Sequence, residues 1–272
     1  MLAADLVWPL RDADAGAFTL EDDTAAPEQT VVTAVDRPVL LGYAPQASNG
    51  RAMLILGGGG YTALMAGREG VQVARWLTAL GYHAFVLVHR FPHAGTGPSA
   101  PLDDARDAMR MIRASCLAPL GLGVVGLSSG GHLAACLLAA YPAAWGATDT
   151  QRPDVLVVGY APLSTNAKGR TIIPDKPPLP PVEKQALYDA LQPDAQMLAD
   201  PPPTFIVYAA NDPVVPVINA HRLHDALMAA GGSAELHIFA DAPHGFALDT
   251  PDLPVSLWPR LCEAWLRQVG FL

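Results

Sequence analysis

The feature that most restricts what this chain can fold into is the regular alternation, from about residue 30 onward, of short apolar runs with stretches of helical period. The runs span 30–35, 39–43, 52–56, 84–89, 122–127, 155–160, 204–209 and 234–239. Their length and near-continuous apolarity fit strands buried on both faces. Between them, Val73, Trp76, Leu77 and Leu80 repeat at helical spacing and stop at Gly81. Leu102, Ala105, Met109 and Ile112 form a second stripe, Leu133, Cys136, Leu137 and Ala140 a third, and Leu223, Ala226, Leu227 and Ala230 a fourth. Trp258, Leu261 and Trp265 predict a closing helix with Pro259 in its first turn. Alternation of this kind predicts an α/β class: a mainly parallel central sheet with helices on both faces.

With 51% hydrophobic and 16% charged residues, the 272-residue chain can bury a substantial core, and one domain over 1–272 is expected. The stretch 163–203 breaks the alternation. It holds Pro177, Pro178, Pro180 and Pro181, then a short helical segment over 183–191, and reads as a loop excursion or lid above the sheet. A net charge of −9 argues against a nucleic-acid partner. Residues 114–148 carry no Asp, Glu, Lys or Arg, yet Pro119, Gly121, Gly123, Gly126, Gly130, Gly131 and Pro142 interrupt them too often for a membrane span. Residues 1–14 show no basic region followed by an apolar one, so no secretory signal is visible and a cytoplasmic location is expected. Cys116, Cys136 and Cys262 form no C-x-x-C pair, and their odd number fits a reducing compartment.

Residues 126–130 read Gly-Leu-Ser-Ser-Gly between a predicted strand and a predicted helix, the setting of a nucleophile elbow that presents Ser128 at the carboxyl edge of the sheet. A serine hydroxyl needs a base to take its proton and an anion to orient that base. Asp212 follows the run 204–209, and His244 follows the run 234–239, so both stand where Ser128 points. His244 is the only one of eight histidines that follows both the serine and an acid while lying beyond a strand end. The others read as satisfied or solvated side chains, and His221 and His224, though on one helix face, lack a third metal ligand. Asp241 competes with Asp212 for the acid, but three residues before His244 it suits a local turn cap better. Gly57 to Gly60 follow an apolar strand, and no G-K-[ST] accompanies them, so the run reads as an oxyanion loop rather than a phosphate cradle. Gly59 and Gly60, with the Ser129 amide, are the expected donors, with a register uncertain by one residue.

Together, the glycine run ending in Tyr61, Arg68-Glu69-Gly70, His89-Arg90-Phe91, GLSSGGHLA over 126–134, NDPVVP over 211–216 and His244-Gly245-Phe246 make the chain resemble bacterial α/β-hydrolases of the acetyl xylan esterase and carbohydrate esterase type, relatives of the hormone-sensitive-lipase-like carboxylesterases. The resemblance covers most of 50–268. It implies an α/β-hydrolase fold and removal of small acyl groups, acetyl above all, from sugar or related alcohols, with no cofactor or metal and a small-molecule or oligosaccharide ester as partner. Relatives commonly carry proline or histidine at Gly57 and tyrosine at His89. Arg68 and Glu69 are expected either to pair and anchor the oxyanion loop or to sit solvated. Two other readings stand beside this one: a prolyl-oligopeptidase-like serine peptidase, disfavoured because only about 50 residues precede the glycine run, and a non-catalytic hydrolase-fold binding protein.

Overall fold

The structure, a computed structural model, describes residues 2–11, 17–145, 151–170, 172–173 and 175–272. Parts of the stretches 1–14 and 114–148 lie outside the described residues. Along the chain run β1 (Leu6–Pro9), β2 (Ala17–Leu20), β3 (Val32–Arg37), β4 (Val39–Tyr43), β5 (Ala52–Leu56), α1 (Gln72–Ala79), β6 (His83–Val88), α2 (Ala100–Ala114), β7 (Leu122–Leu127) and α3 (Ser129–Cys136). They are followed by β8 (Leu156–Gly159), α4 (Val182–Ala190), α5 (Pro193–Gln196), β9 (Thr204–Ala209), α6 (Ile218–Ala229), β10 (Ala234–Phe239) and α7 (Trp258–Gln268).

Eight strands form one sheet in the order β1-β4-β6-β5-β7-β8-β9-β10. The β1–β4 and β4–β6 pairs are antiparallel, and every pair from β6 to β10 is parallel. Parallel strands covered on both faces need apolar residues at every position rather than at alternate ones. Accordingly, every residue of β5, β7, β8 and β9 is buried. The helices close the two faces with the stripes read from the sequence: α1 buries Val73 and Leu77 and ends before Gly81 at φ +93°, α2 buries Leu102, Ala105, Met109 and Ile112, and α7 begins with Pro259 in its first turn.

Five of the expected strands have the predicted bounds, and three differ for local reasons. β6 lies one residue earlier at both ends: His83 already pairs with Ala52 of β5, and His89 lies beyond the strand, with Nδ1 2.9 Å from the Arg90 carbonyl oxygen. β8 is shorter because Tyr160 leaves the extended region at φ +39°. The run at 30–35 becomes β3, which pairs with β2 in a separate two-stranded sheet and buries only Val32 and Val35. Neither β1, β2 nor the one-turn helix α5 was expected; all three are four-residue elements, too short to show a period.

The segment 163–203 contains α4 and α5 and is tied down at several points. The Leu198 N–H donates to the Leu138 carbonyl at 2.9 Å, and the Arg170 guanidinium pairs with the fully buried side chain of Asp194 at 3.0 Å. Among the described residues, no helix is long and apolar enough to cross a membrane, and no group of three or more His, Cys, Asp or Glu is arranged to hold a metal ion. Cys116, Cys136 and Cys262 are unpaired.

Candidate active site

The site is built at the carboxyl edge of the parallel strands, starting from the turn between β7 and α3. Ser128 occupies φ 52° and ψ −125°, a conformation costly to a side-chain-bearing residue and held by its surroundings. Its N–H donates to the Gly159 carbonyl at 2.9 Å, and its carbonyl accepts from the Gly131 and His132 amides at 2.9 and 3.1 Å. Two glycines make the turn physically possible. A β-carbon on Gly126 would stand 2.4 Å from the Gly130 carbonyl oxygen, and one on Gly130 would stand 1.9 Å from the Leu56 carbonyl oxygen. The first spacing lets α3 turn back onto β7, and the second lets it lie against β5.

Because β9 and β10 pair in register, Ala209 opposite Phe239, the loops that follow them emerge level with each other. Asp212 sits in the first loop and His244 in the second. Ser128 Oγ lies 3.0 Å from His244 Nε2, and His244 Nδ1 lies 2.8 Å from Asp212 Oδ2. The other carboxylate oxygen, Oδ1, accepts from the Val214 and Val215 amides, each at 2.8 Å, and the Asp212 side chain is fully buried. An ionised carboxylate can only accept, which assigns the proton to Nδ1 and leaves Nε2 as the acceptor for the Ser128 hydroxyl. Asp241 serves the loops instead of the base. It accepts from the Asn211 side-chain amide, while Asn211 Oδ1 accepts from the Ala242 amide at 3.1 Å, so the pair laces the two loops together.

The glycine run approaches from the end of β5, and its amides have separate fates. Gly58 N–H donates to Glu69 Oε2 at 2.6 Å, and Gly60 N–H donates to Ser129 Oγ at 2.9 Å. Gly60, one of the expected donors, therefore points its amide at a side chain of the elbow rather than into the cleft. Gly59, at φ +132°, and Ser129, at the start of α3, keep amides that meet no acceptor among the described residues. The adjoining cleft holds about 430 Å³ and is lined by Gly59, Ser128 and His244 together with Met65, Arg68, Val214 and Gly245. A roomier recess of about 640 Å³ lies on the β2–β3 hairpin among Glu21, Asp22, Asp23 and Asp36, without serine or histidine.

Arg68 and Glu69 do not pair with each other, and Glu69 alone anchors the glycine loop. Arg68 pairs with Asp249 at 3.0 Å, whereas Glu69 is buried and accepts from the Gly58 amide and, at 3.1 Å, from the Tyr160 hydroxyl. A π-helical turn over Ala66–Val71, ahead of α1, carries Glu69 under the glycine loop. Burial raises the Glu69 pKa above the ordinary glutamate value, against the opposing pull of the Gly58 and Tyr160 hydrogen bonds. The Tyr160 ring stands edge-on to His244, with centroids 5.3 Å apart, and its hydroxyl accepts from the Ala247 amide at 3.3 Å. One buried carboxyl thus joins the glycine loop, the end of β8 and the histidine loop. Sequence reading named Glu69 as an anchor of the oxyanion loop but missed its link to Tyr160 and the histidine loop.

His132, read as a satisfied side chain, is one. Its Nδ1 lies 2.8 Å from the Tyr61 hydroxyl and its Nε2 3.0 Å from the Leu191 carbonyl. The neutral ring accepts a hydrogen bond from the tyrosine hydroxyl on one side and donates one to the carbonyl on the other, and burial lowers its pKa to about 4.

Comparison with known proteins places this geometry among relatives. Acetylxylan esterase of Xylanibacter ruminicola is 26% identical over 270 residues, covering 93% of this chain and 52% of its own length, so the chain spans about half of that relative. The acetyl ester-xyloside bifunctional hydrolase from Caldicellulosiruptor lactoaceticus superposes with a TM-score of 0.73 at 28% identity, covering 98% of this chain and 97% of its own. A carboxylesterase from Lactobacillus plantarum gives a TM-score of 0.73 over 95% of this chain and 99% of its own at 20% identity, a likeness of fold. These neighbours share the α/β-hydrolase architecture expected from the elbow and the parallel sheet. The model of the prolyl oligopeptidase family matches residues 99–266, which is more than half of the chain and takes in the elbow, Asp212 and His244; the protein belongs to that family.

Proposed function

We propose that the protein is a serine hydrolase of carboxylic esters that removes small acyl groups, acetyl above all, from sugar hydroxyls or related alcohols. The reading rests on the unbroken hydrogen-bonded chain from Ser128 Oγ through His244 to Asp212, beside two main-chain amides that meet no acceptor among the described residues. Ser128 Oγ attacks the ester carbonyl carbon while His244 Nε2 takes its proton. The carbonyl electron pair moves to oxygen, and the resulting oxyanion meets the Gly59 and Ser129 N–H groups, donors whose removal costs about 3 kcal/mol each in such sites. Collapse of the tetrahedral species breaks the bond to the alcohol oxygen, which receives the proton from Nε2. Water then attacks the acyl-serine with the same nitrogen as base, releasing the carboxylic acid and restoring Ser128. Asp212 holds the ring in the required tautomer and offsets the imidazolium charge.

The acetyl preference draws support from the names of the Xylanibacter and Caldicellulosiruptor relatives. We further take 1–272 as one functional unit in which 163–203 covers one side of the cleft, anchored by Leu191 on His132 and Tyr188 against Tyr61. The unpaired cysteines support residence in a reducing compartment such as the cytoplasm. Hydrolysis of p-nitrophenyl acetate by purified protein, lost in a folded Ser128→Ala variant, is the expected result, and undiminished turnover in that variant would overturn the assignment. Acetylated xylo-oligosaccharides compared with short-chain aryl esters then locate the alcohol. A second reading, cleavage of peptides, follows from the family match. Proline-containing dipeptide amides tested beside acetyl esters separate the two, and faster turnover of the amides would favour the peptidase.

A further inference from the structure

In a chain of net charge −9, the cleft is bordered by cations. Arg68, on its lining, is neutralised by Asp249 at 3.0 Å. Across the glycine loop stands Lys184 of α4. Its Nζ lies 3.7 Å from where a Gly60 β-carbon would be, so the ammonium group rests directly on the loop that borders Ser128. The residue is half-buried, yet among the described residues no carboxylate, carbonyl or hydroxyl accepts from it. The charged group that acts on it is a second cation, Lys176, which donates to the Asn166 side-chain oxygen. Burial first, and then Lys176, lower the Lys184 pKa. Two acids of the same segment are engaged elsewhere: Asp189 accepts from the Lys168 amide and the Gln185 side chain, and Asp194 pairs with Arg170.

A desolvated ammonium beside a like charge is unfavourable until an anion arrives, and a field of opposite sign to the whole molecule steers an anion to that spot. We infer that Lys184, supported by Lys176, forms an anion subsite at the rim of the cleft and selects esters that carry a carboxylate besides the scissile bond. A lysine offers a point charge without the guanidinium fork or the nest of amides that phosphate dianions usually take, which favours a monoanionic carboxylate. The inference rests on the esterase reading and adds the class of substrate to it.

Two pairs of esters, each a carboxylate against its carboxamide, test it: m-acetoxybenzoate against m-acetoxybenzamide, with the charge on the alcohol side, and p-nitrophenyl adipate against p-nitrophenyl adipamate, with the charge on the acyl side. In one pair, kcat/KM for the anion exceeds that for its neutral counterpart by about tenfold at low salt, and the ratio shrinks as ionic strength rises. Lys184→Gln brings the ratio toward one and Lys184→Glu below one, whereas Lys168→Gln, an exposed lysine of the same segment, leaves it in place. A ratio at or below one for both pairs in the wild type, or a ratio that survives Lys184→Gln, overturns the subsite while neutral esters are still hydrolysed. Absence of turnover on every ester, the neutral ones included, overturns the esterase reading and this inference with it.

Discussion

Single residues at the site are held by groups that do not react. Asp212 uses one oxygen for His244 and the other for two backbone amides, so it cannot rotate away. In Asp212→Asn the side-chain oxygen still serves Val214 and Val215, and the NH2 group then faces His244 Nδ1. That nitrogen must become the acceptor, the ring proton moves to Nε2, and the base towards Ser128 is lost. Esterase kcat is expected to fall by about 10⁴-fold with the fold intact, measured with p-nitrophenyl acetate and checked by circular dichroism. Glu69 gives a pH signature. Because the folded protein holds the Glu69 proton to higher pH than the unfolded chain does, the folded state binds more protons across the interval that begins at the ordinary glutamate value and extends upward. Stability from this group therefore falls as pH rises through that interval. Glu69→Gln cannot ionise, so its unfolding free energy relative to wild type rises with pH there. Urea unfolding from about pH 4 to 8 reads the difference, and a flat line would mean that Glu69 titrates as it does in the unfolded chain.

At the scale of elements, two contacts fix what lies against what. The closest is α3 on β5, where Gly130 has no room for a side chain against the Leu56 carbonyl. Backbone cannot yield as a flexible side chain does, so Gly130→Ala displaces the helix that begins at Ser128, and a loss of about 3 kcal/mol or more is expected in denaturant unfolding, at the upper end of overpacking effects. The second joins the end of β6 to α2. Asp104, its side chain fully buried, accepts from the Arg90 amide at 2.9 Å and from the Arg90 guanidinium, with Arg11 also in reach at 3.3 Å. Removing the carboxylate leaves a mostly buried Arg90 charge uncompensated, and Asp104→Ala is expected to cost about 3–5 kcal/mol. A smaller loss in urea titration would mean that water reaches Arg90 in the variant. The sequence stripe at Leu102, Ala105, Met109 and Ile112 predicted α2, yet Asp104, outside that stripe, is buried as well. Periodicity reports an average face, and a paired acid can occupy the buried edge of that face when a partner on another strand waits for it.

For the molecule as a whole, the charge balance and the sheet topology matter most. A chain of net charge −9 and pI near 5.2 loses its self-repulsion as pH falls. Light scattering between about pH 4 and 8 is expected to peak near the pI, and a featureless profile would mean that charge does not govern its association. The sheet carries the chemistry because parallel strands in register end at one edge. Ser128 and His244, 116 positions apart, meet there across β7, β8, β9 and β10.

The sequence by itself determined the apolar runs that become strands, most helices, the elbow and the order serine, aspartate, histidine, since each is written in local periodicity or in residues whose chemistry admits few uses. The run 234–239 becomes the edge strand β10, none of whose residues is fully buried, and the third stripe overruns α3, which ends at Cys136. It also pointed to the loops holding Asp212 and His244, because both follow strand ends. Only the tertiary structure decided which glycine amide stays free, because the Gly58 and Gly60 amides are claimed by Glu69 and Ser129, residues 11 and 69 positions away. The same holds for the burial of Glu69 and for Lys184 at the cleft. Hydrogen bonds and fields act over a few ångströms in space whatever the separation along the chain, so no local pattern records which distant partner will arrive.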